Sequence, residues 1–134
     1  MTDLEIIKHC AEAMGYSVVK GDARYKNGMA IATKDGEPIT NYDPLKHDAQ
    51  AMALVKQLCL RVQFTNHRVW VGDYNPLHWL AAWSPHPEDG IYQADARNLD
   101  LNRAICECVV EARRLMAKFP SFTIGVTPDD RGNR

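Results

Sequence analysis

The chain has 134 residues, which is within the usual size of one domain. Its 16 basic and 17 acidic residues give a formal net charge of −1, so nucleic acid and anionic lipid are disfavoured as partners. No apolar run approaches the roughly 20 residues that cross a bilayer, and residues 1–5 lack the start of a signal peptide. We therefore expect one cytoplasmic domain over residues 1–120.

The first predicted element is a helix over residues 3–14. Its apolar side chains Leu4, Ile7, Ala11 and Met14 recur every three or four residues, as they do on the buried face of a helix. Gly15 follows at the position where many helices end in a left-handed residue. Two short strands are predicted next, over residues 16–21 and 28–36.

A second helix is predicted to begin at Asp43, which would cap it, with Pro44 at the first helical position. Its predicted buried face consists of apolar side chains at helical spacing: Leu45, Ala49, Met52, Val55 and Cys59.

The middle of the chain has the alternation of apolar and polar residues that is typical of strands. We predict a hairpin made of residues 60–65, a turn at Asn66-His67 and a second strand over 68–72. A third strand over 78–84 would place Trp79, Ala81 and Trp83 on one face of a sheet. A short edge strand over 91–94 follows a surface loop.

A long helix is predicted from residue 99 to 119. Asp100 would cap its first turn, and basic side chains near its end would complement the last carbonyls: Arg113, Arg114 and Lys118. Its predicted buried face comprises Leu101, Ile105, Cys108, Ala112, Leu115 and Phe119. We expect the tail, residues 121–134, to be mobile. Together the elements predict an α/β (α+β) fold, an α/β/α layered sandwich with a mainly antiparallel central sheet covered by helices.

With these elements in place, the chain resembles the phage ABA-sandwich domain family of small phage and prophage proteins. The similar segments are Ala13-Met-Gly-Tyr16, Asn41-Tyr-Asp-Pro44 before an alanine-rich helix, Val69-Trp-Val71 and Asn102-Arg-Ala-Ile-Cys106. Their order and spacing carry the resemblance, which covers about residues 4 to 118. It implies an α/β/α sandwich and a phage origin, so the compartment would be the host cytoplasm. It implies no catalytic residues.

No residue pattern in the sequence indicates catalysis, a metal site or a cofactor. The histidines do not fall at the spacing of a helical metal pair, and there is no glycine-rich phosphate loop or nucleophile elbow. All four cysteines lie among apolar residues of predicted elements, so we interpret them as buried, reduced thiols: Cys10, Cys59, Cys106 and Cys108. We expect a non-enzymatic protein.

Two clusters are candidate binding residues. In the first, Trp79 could stack a planar ligand while a polar edge is bound by Asp73, Tyr74 or His78. Packing of Trp79 and Trp83 under a helix is the favoured alternative. The second cluster, Asp100, Asn102 and Arg103, could bind an anion such as phosphate, or a partner, at a helix start. Capping by Asp100 with a solvent-exposed Arg103 is again the favoured alternative.

The leading hypothesis is a phage or prophage accessory protein that binds a host or defence protein. The alternative is a protein that sequesters a small nucleotide-type ligand near Trp79 and Arg103. A deep polar concavity would favour the ligand, whereas an apolar surface patch would favour the protein partner. The sequence also leaves open a homo-oligomer.

Overall fold

The computed structural model describes residues 1–20, 29–33, 35–39, 41–66, 77–86 and 92–118. The helices in these ranges are α1 (Asp3–Ala13), α2 (Asp48–Leu58) and α3 (Leu101–Lys118). The strands are β1 (Ser17–Lys20), β2 (Met29–Ala32), β3 (Pro38–Ile39), β4 (Arg61–Asn66), β5 (Leu77–Trp83) and β6 (Ala94–Asn98).

All strand pairs among the described residues are antiparallel, in the orders β1-β2-β3 and β4-β5-β6. The predicted class, an α+β sandwich of mainly antiparallel strands and helices, is confirmed. The strands are divided between two three-stranded sheets, which the alternation of residues along single strands could not reveal. The turn at Asp35-Gly36 precedes β3, a short strand that the sequence analysis did not predict.

Helix α3 lies at the centre of the described structure. It packs against β5 and β6 on one side and against α1 and α2 on the other. Two cysteines of α3 lie on these two sides. On the side of α1, the carbonyl oxygen of Cys106 is 4.0 Å from the Cys10 sulfur. On the side of the sheet, the Cys108 sulfur is 4.0 Å from the carbonyl oxygen of Ala94 on β6. Both are fully buried although they point about 200° apart around the helix. Helix α3 therefore has two buried sides.

The ends of α1 and α3 follow the predicted local chemistry. The carboxylate of Asp100 accepts a hydrogen bond from the Asn102 amide at 3.1 Å, which confirms the predicted cap of α3. Gly15 adopts φ of +82° after α1, as predicted. Leu4 is exposed, contrary to the prediction, although Ile7 and Ala11 on the same side of α1 are buried. Leu4 lies in the first turn of the helix, and burial on this side begins one turn later.

The predicted start and buried face of α2 are wrong. Residues 44–46 form a turn in which the Asp43 carbonyl accepts hydrogen bonds from the amides of Lys46 and His47, each at 3.0 Å. The helix begins at Asp48, after His47. Its fully buried residues are Ala51, Leu54 and Leu58, while Leu45 and Val55 are partly buried and Ala49, Met52 and Cys59 are exposed.

The second sheet contains the clearest of the predicted strands. Trp79, Ala81 and Trp83 on β5 all pack into the core, as predicted. Asn66 belongs to β4 and pairs with Leu77, whereas His67 and the predicted strand over 68–72 lie outside the described residues. Strand β6 runs from Ala94 to Asn98 rather than over 91–94. Phe119 and the tail from residue 121 also lie outside the described residues.

Candidate functional site

The most exposed aromatic side chains of the described second sheet come from neighbouring positions on β4 and β5. Phe64 stands directly opposite Trp79, with ring centroids 5.1 Å apart and ring planes at 65°, an edge-to-face contact. Phe64 is 51% exposed, and Leu77, two residues before Trp79 on the same face of the strand, is 46% exposed. We call Phe64, Leu77 and Trp79 the aromatic patch.

Trp79 anchors this patch. Its side chain is half-buried against the core, and its neighbour on β6 is Asn98. The side chains of Phe64 and Leu77 contain no hydrogen-bond donor or acceptor, so they can contact a partner only through apolar surface. The sequence analysis singled out Trp79 but did not single out Phe64 or Leu77. The alternation over 60–65 assigned Phe64 to an apolar face but could not show that its side chain is half exposed.

His78 does not join Trp79 in one site. Neighbouring residues of a strand point to opposite faces of the sheet, and His78 is buried, with 1% of its surface exposed, on the face away from Trp79. The Thr65 hydroxyl donates a hydrogen bond to the His78 carbonyl at 3.0 Å. Asp73 and Tyr74, the other polar residues of the predicted cluster, lie outside the described residues.

Arg103 is held by two carboxylates. Its guanidinium lies 3.0 Å from Asp3 on α1 and 3.3 Å from Glu107 one turn along α3. The hydrogen bond with Asp3 raises the pKa of Arg103. An anionic ligand would have to compete with both carboxylates, so this arginine ties α1 to α3 in the described structure.

The other members of the second predicted cluster also have structural partners. Asp100 caps α3, and the side-chain amide of Asn102 donates a hydrogen bond to the Asp48 carboxylate at the start of α2, at 2.9 Å. Asn102 is buried, which makes this bond a tie between two helix starts. The phosphate site that the sequence suggested is thus occupied by contacts within the chain.

The basic residues near the end of α3 are not all free surface charges. Arg113 donates hydrogen bonds to the His9 carbonyl at 3.2 Å and to the Glu12 carboxylate at 3.1 Å, so it joins α3 to α1. Burial, followed by the charge of Arg113, lowers the pKa of His9. Arg114 is exposed and contacts Glu111 on its own helix at 2.6 Å. Arg114 is therefore a surface charge near the end of α3, whereas Arg113 joins two helices.

The thiols differ from the prediction at one position. Cys10, Cys106 and Cys108 are buried and free, and burial raises the pKa of Cys108 to about 12. Cys59 is exposed, because it ends α2 in a left-handed conformation with φ of +55°. Within the described residues, no three metal-ligating side chains are grouped closely enough to hold a metal ion.

No protein-family model, curated protein or solved structure matches this chain. The resemblance to phage ABA-sandwich proteins stays a prediction from the order and spacing of sequence segments. Among the described helices, none is both long and apolar enough to cross a membrane.

Proposed function

We propose that this chain is a small phage or prophage accessory protein, non-enzymatic, that acts in the host cytoplasm by binding a host or defence protein through the aromatic patch. The origin and compartment come from the sequence resemblance. The observation that carries the binding role is the half-exposed Phe64 in edge-to-face contact with Trp79.

The chemistry of the patch favours a protein partner. Aromatic side chains supply large apolar contact area at little cost in conformational entropy, and tryptophan is enriched among the residues that dominate interface energy. Trp79 is fixed by the core and by Phe64, so little ordering would be needed when a partner covers it. A nucleotide would need a cation beside the ring, and the guanidinium of Arg103 is already bound to Asp3 and Glu107.

The test compares proteins captured from phage-infected bacterial cells by tagged versions of the chain. The versions are wild type, the double variant Phe64→Ser with Leu77→Ser, and Val19→Ser, a matched control at another exposed apolar residue on the first sheet. We expect wild type and the Val19→Ser control to capture the same bacterial protein, and we expect the double variant not to capture it. Mass spectrometry identifies it, and the purified pair is then tested for direct binding.

Two results would contradict the proposal. One is that the same proteins, in the same amounts, accompany all three versions. The other is that a nucleotide co-purifies with the chain, or that titration calorimetry with linear and cyclic nucleotides gives heat that disappears in Arg103→Ala and Trp79→Ala. The second result would favour the ligand hypothesis instead.

A further inference from the structure

Strand β6 is the outermost strand of the second sheet in the described part of the chain, at the edge opposite β4. A cavity of about 410 Å³ lies beside it and is lined by three consecutive strand residues, Asp95, Ala96 and Arg97. The cavity is also lined by Met1 and by Ile6 of α1, so it lies between β6 and the helices of the same chain. Its opposite wall includes Val110 and Glu111 of α3.

The charges of β6, whose sequence is Ala-Asp-Ala-Arg-Asn, are complementary to those of a second β6 strand that runs in the opposite direction. In an antiparallel pair of two β6 strands centred on Ala96, Asp95 of each copy would stand opposite Arg97 of the other. The two central alanines would face each other and leave room for close approach. Within one chain, the Arg97 Nε atom lies 3.8 Å from the Asp95 carboxylate, and the Asp95 side chain is 57% exposed.

The geometry of strands favours the pairing between copies. Residues two apart on one strand are separated by about 7 Å along it, whereas residues directly opposite on paired strands have their Cβ atoms about 5 Å apart. Opposite charges in that position stabilise a pair of strands, and like charges destabilise it. A two-fold axis would repeat the contact, so each pair of copies would contain it twice.

We propose that β6 is a dimerisation edge, and that its occupant is the β6 strand of a second copy of this chain. The two second sheets then form one continuous antiparallel sheet, joined along the two β6 strands. Because β4 is at the opposite edge of its sheet, the dimer presents two aromatic patches, one at each end. This inference does not depend on the proposed function, since it concerns another edge.

Charge reversal tests the pairing. Sedimentation equilibrium at several protein concentrations measures the dimer dissociation constant for wild type, Asp95→Arg, Arg97→Asp and the double variant that carries both changes. Lys46→Asp, at an exposed residue in the turn before α2, is the control. Each single variant places like charges opposite each other twice, so we expect its dissociation constant to rise by about tenfold or more. The double variant restores complementarity and dimerises.

The mixture of the two single variants is the decisive sample. Asp95→Arg carries two arginines on β6 and Arg97→Asp carries two aspartates, so we expect the two variants to associate with each other more tightly than either associates with itself. Circular dichroism establishes that each variant is folded, and the wild-type dissociation constant should rise with added salt even if one variant fails to fold. A monomeric wild type at hundreds of micromolar, or single variants that dimerise like wild type, would overturn the inference.

Discussion

Replacing Ile105 with alanine should lower the free energy of unfolding by about 3 kcal/mol. Ile105 lies on the central helix α3 and is fully buried in the core. The change removes about three carbon atoms at about 0.8 kcal/mol each, and incomplete collapse of the resulting cavity adds to that loss within the usual range of about 2–5 kcal/mol. Urea denaturation followed by circular dichroism measures the difference, with the slope of the transition checked for two-state unfolding.

Arg114→Ala and Leu115→Ala complete this test on the same helix. Arg114 is exposed and its contact with Glu111 is a surface pair, so its removal should cost no more than about 0.5 kcal/mol. Leu115 is only partly buried, so Leu115→Ala should lower the free energy of unfolding by about 1–2 kcal/mol, less than Ile105→Ala does. A cost at Arg114 that equals or exceeds the cost at Ile105 would refute the assigned orientation of α3.

Two further predictions concern cysteines. Burial raises the pKa of the Cys108 thiol from 9.0 to about 12. As the pH rises, the unfolded chain therefore loses the thiol proton before the folded chain does. The free energy of unfolding should be unaffected by this group below about pH 9 and should decline between about pH 9 and 12. Urea denaturation across this range should give a shallower decline for Cys108→Ala than for Val109→Ala, a truncation without a titratable group; equal declines would contradict the burial of the thiol. Cys59→Gly should raise the free energy of unfolding by about 0.5–1 kcal/mol, because glycine adopts the left-handed conformation at this helix end without strain. Cys59→Ala keeps the strain and should show no such gain; a gain in both variants would mean that the thiol, and not the backbone, is unfavourable.

Local sequence chemistry predicted the parts of the fold that depend on near neighbours. The cap at Asp100, the left-handed Gly15 and the core-facing tryptophans of β5 all follow from short-range rules. The start of α2 was wrong because a side chain of the helix itself bonds the backbone of the preceding residues. The side chain of Gln50 accepts a hydrogen bond from the Asp43 amide at 2.6 Å and donates one to the Asn41 carbonyl at 3.0 Å, which holds the preceding turn outside the helix.

The candidate site was less predictable, because it depends on which elements cover which faces. The sequence predicts Arg103 as an exposed charge at a helix start, because it cannot show that α1 places Asp3 beside it. Likewise, the spacing of apolar residues predicts one buried side of α3. Helix α1 and the second sheet cover α3 from two directions, so Asn102 and Cys106 are also buried. Trp79 stays a predicted binding residue that no finding tests. Its neighbours Phe64 and Leu77 could not be singled out from the sequence, because their exposure depends on how the described elements pack around that end of the sheet.

The most direct test of the binding role is the affinity of the chain for the purified protein that wild type captures. Titration calorimetry with wild type, Phe64→Ala and Val19→Ala compares an apolar residue of the aromatic patch with an equally exposed apolar residue on the first sheet. We predict that Phe64→Ala weakens binding by about tenfold or more, as expected for a residue near the centre of an interface, and that Val19→Ala binds like wild type. Equal affinity for all three proteins would contradict it.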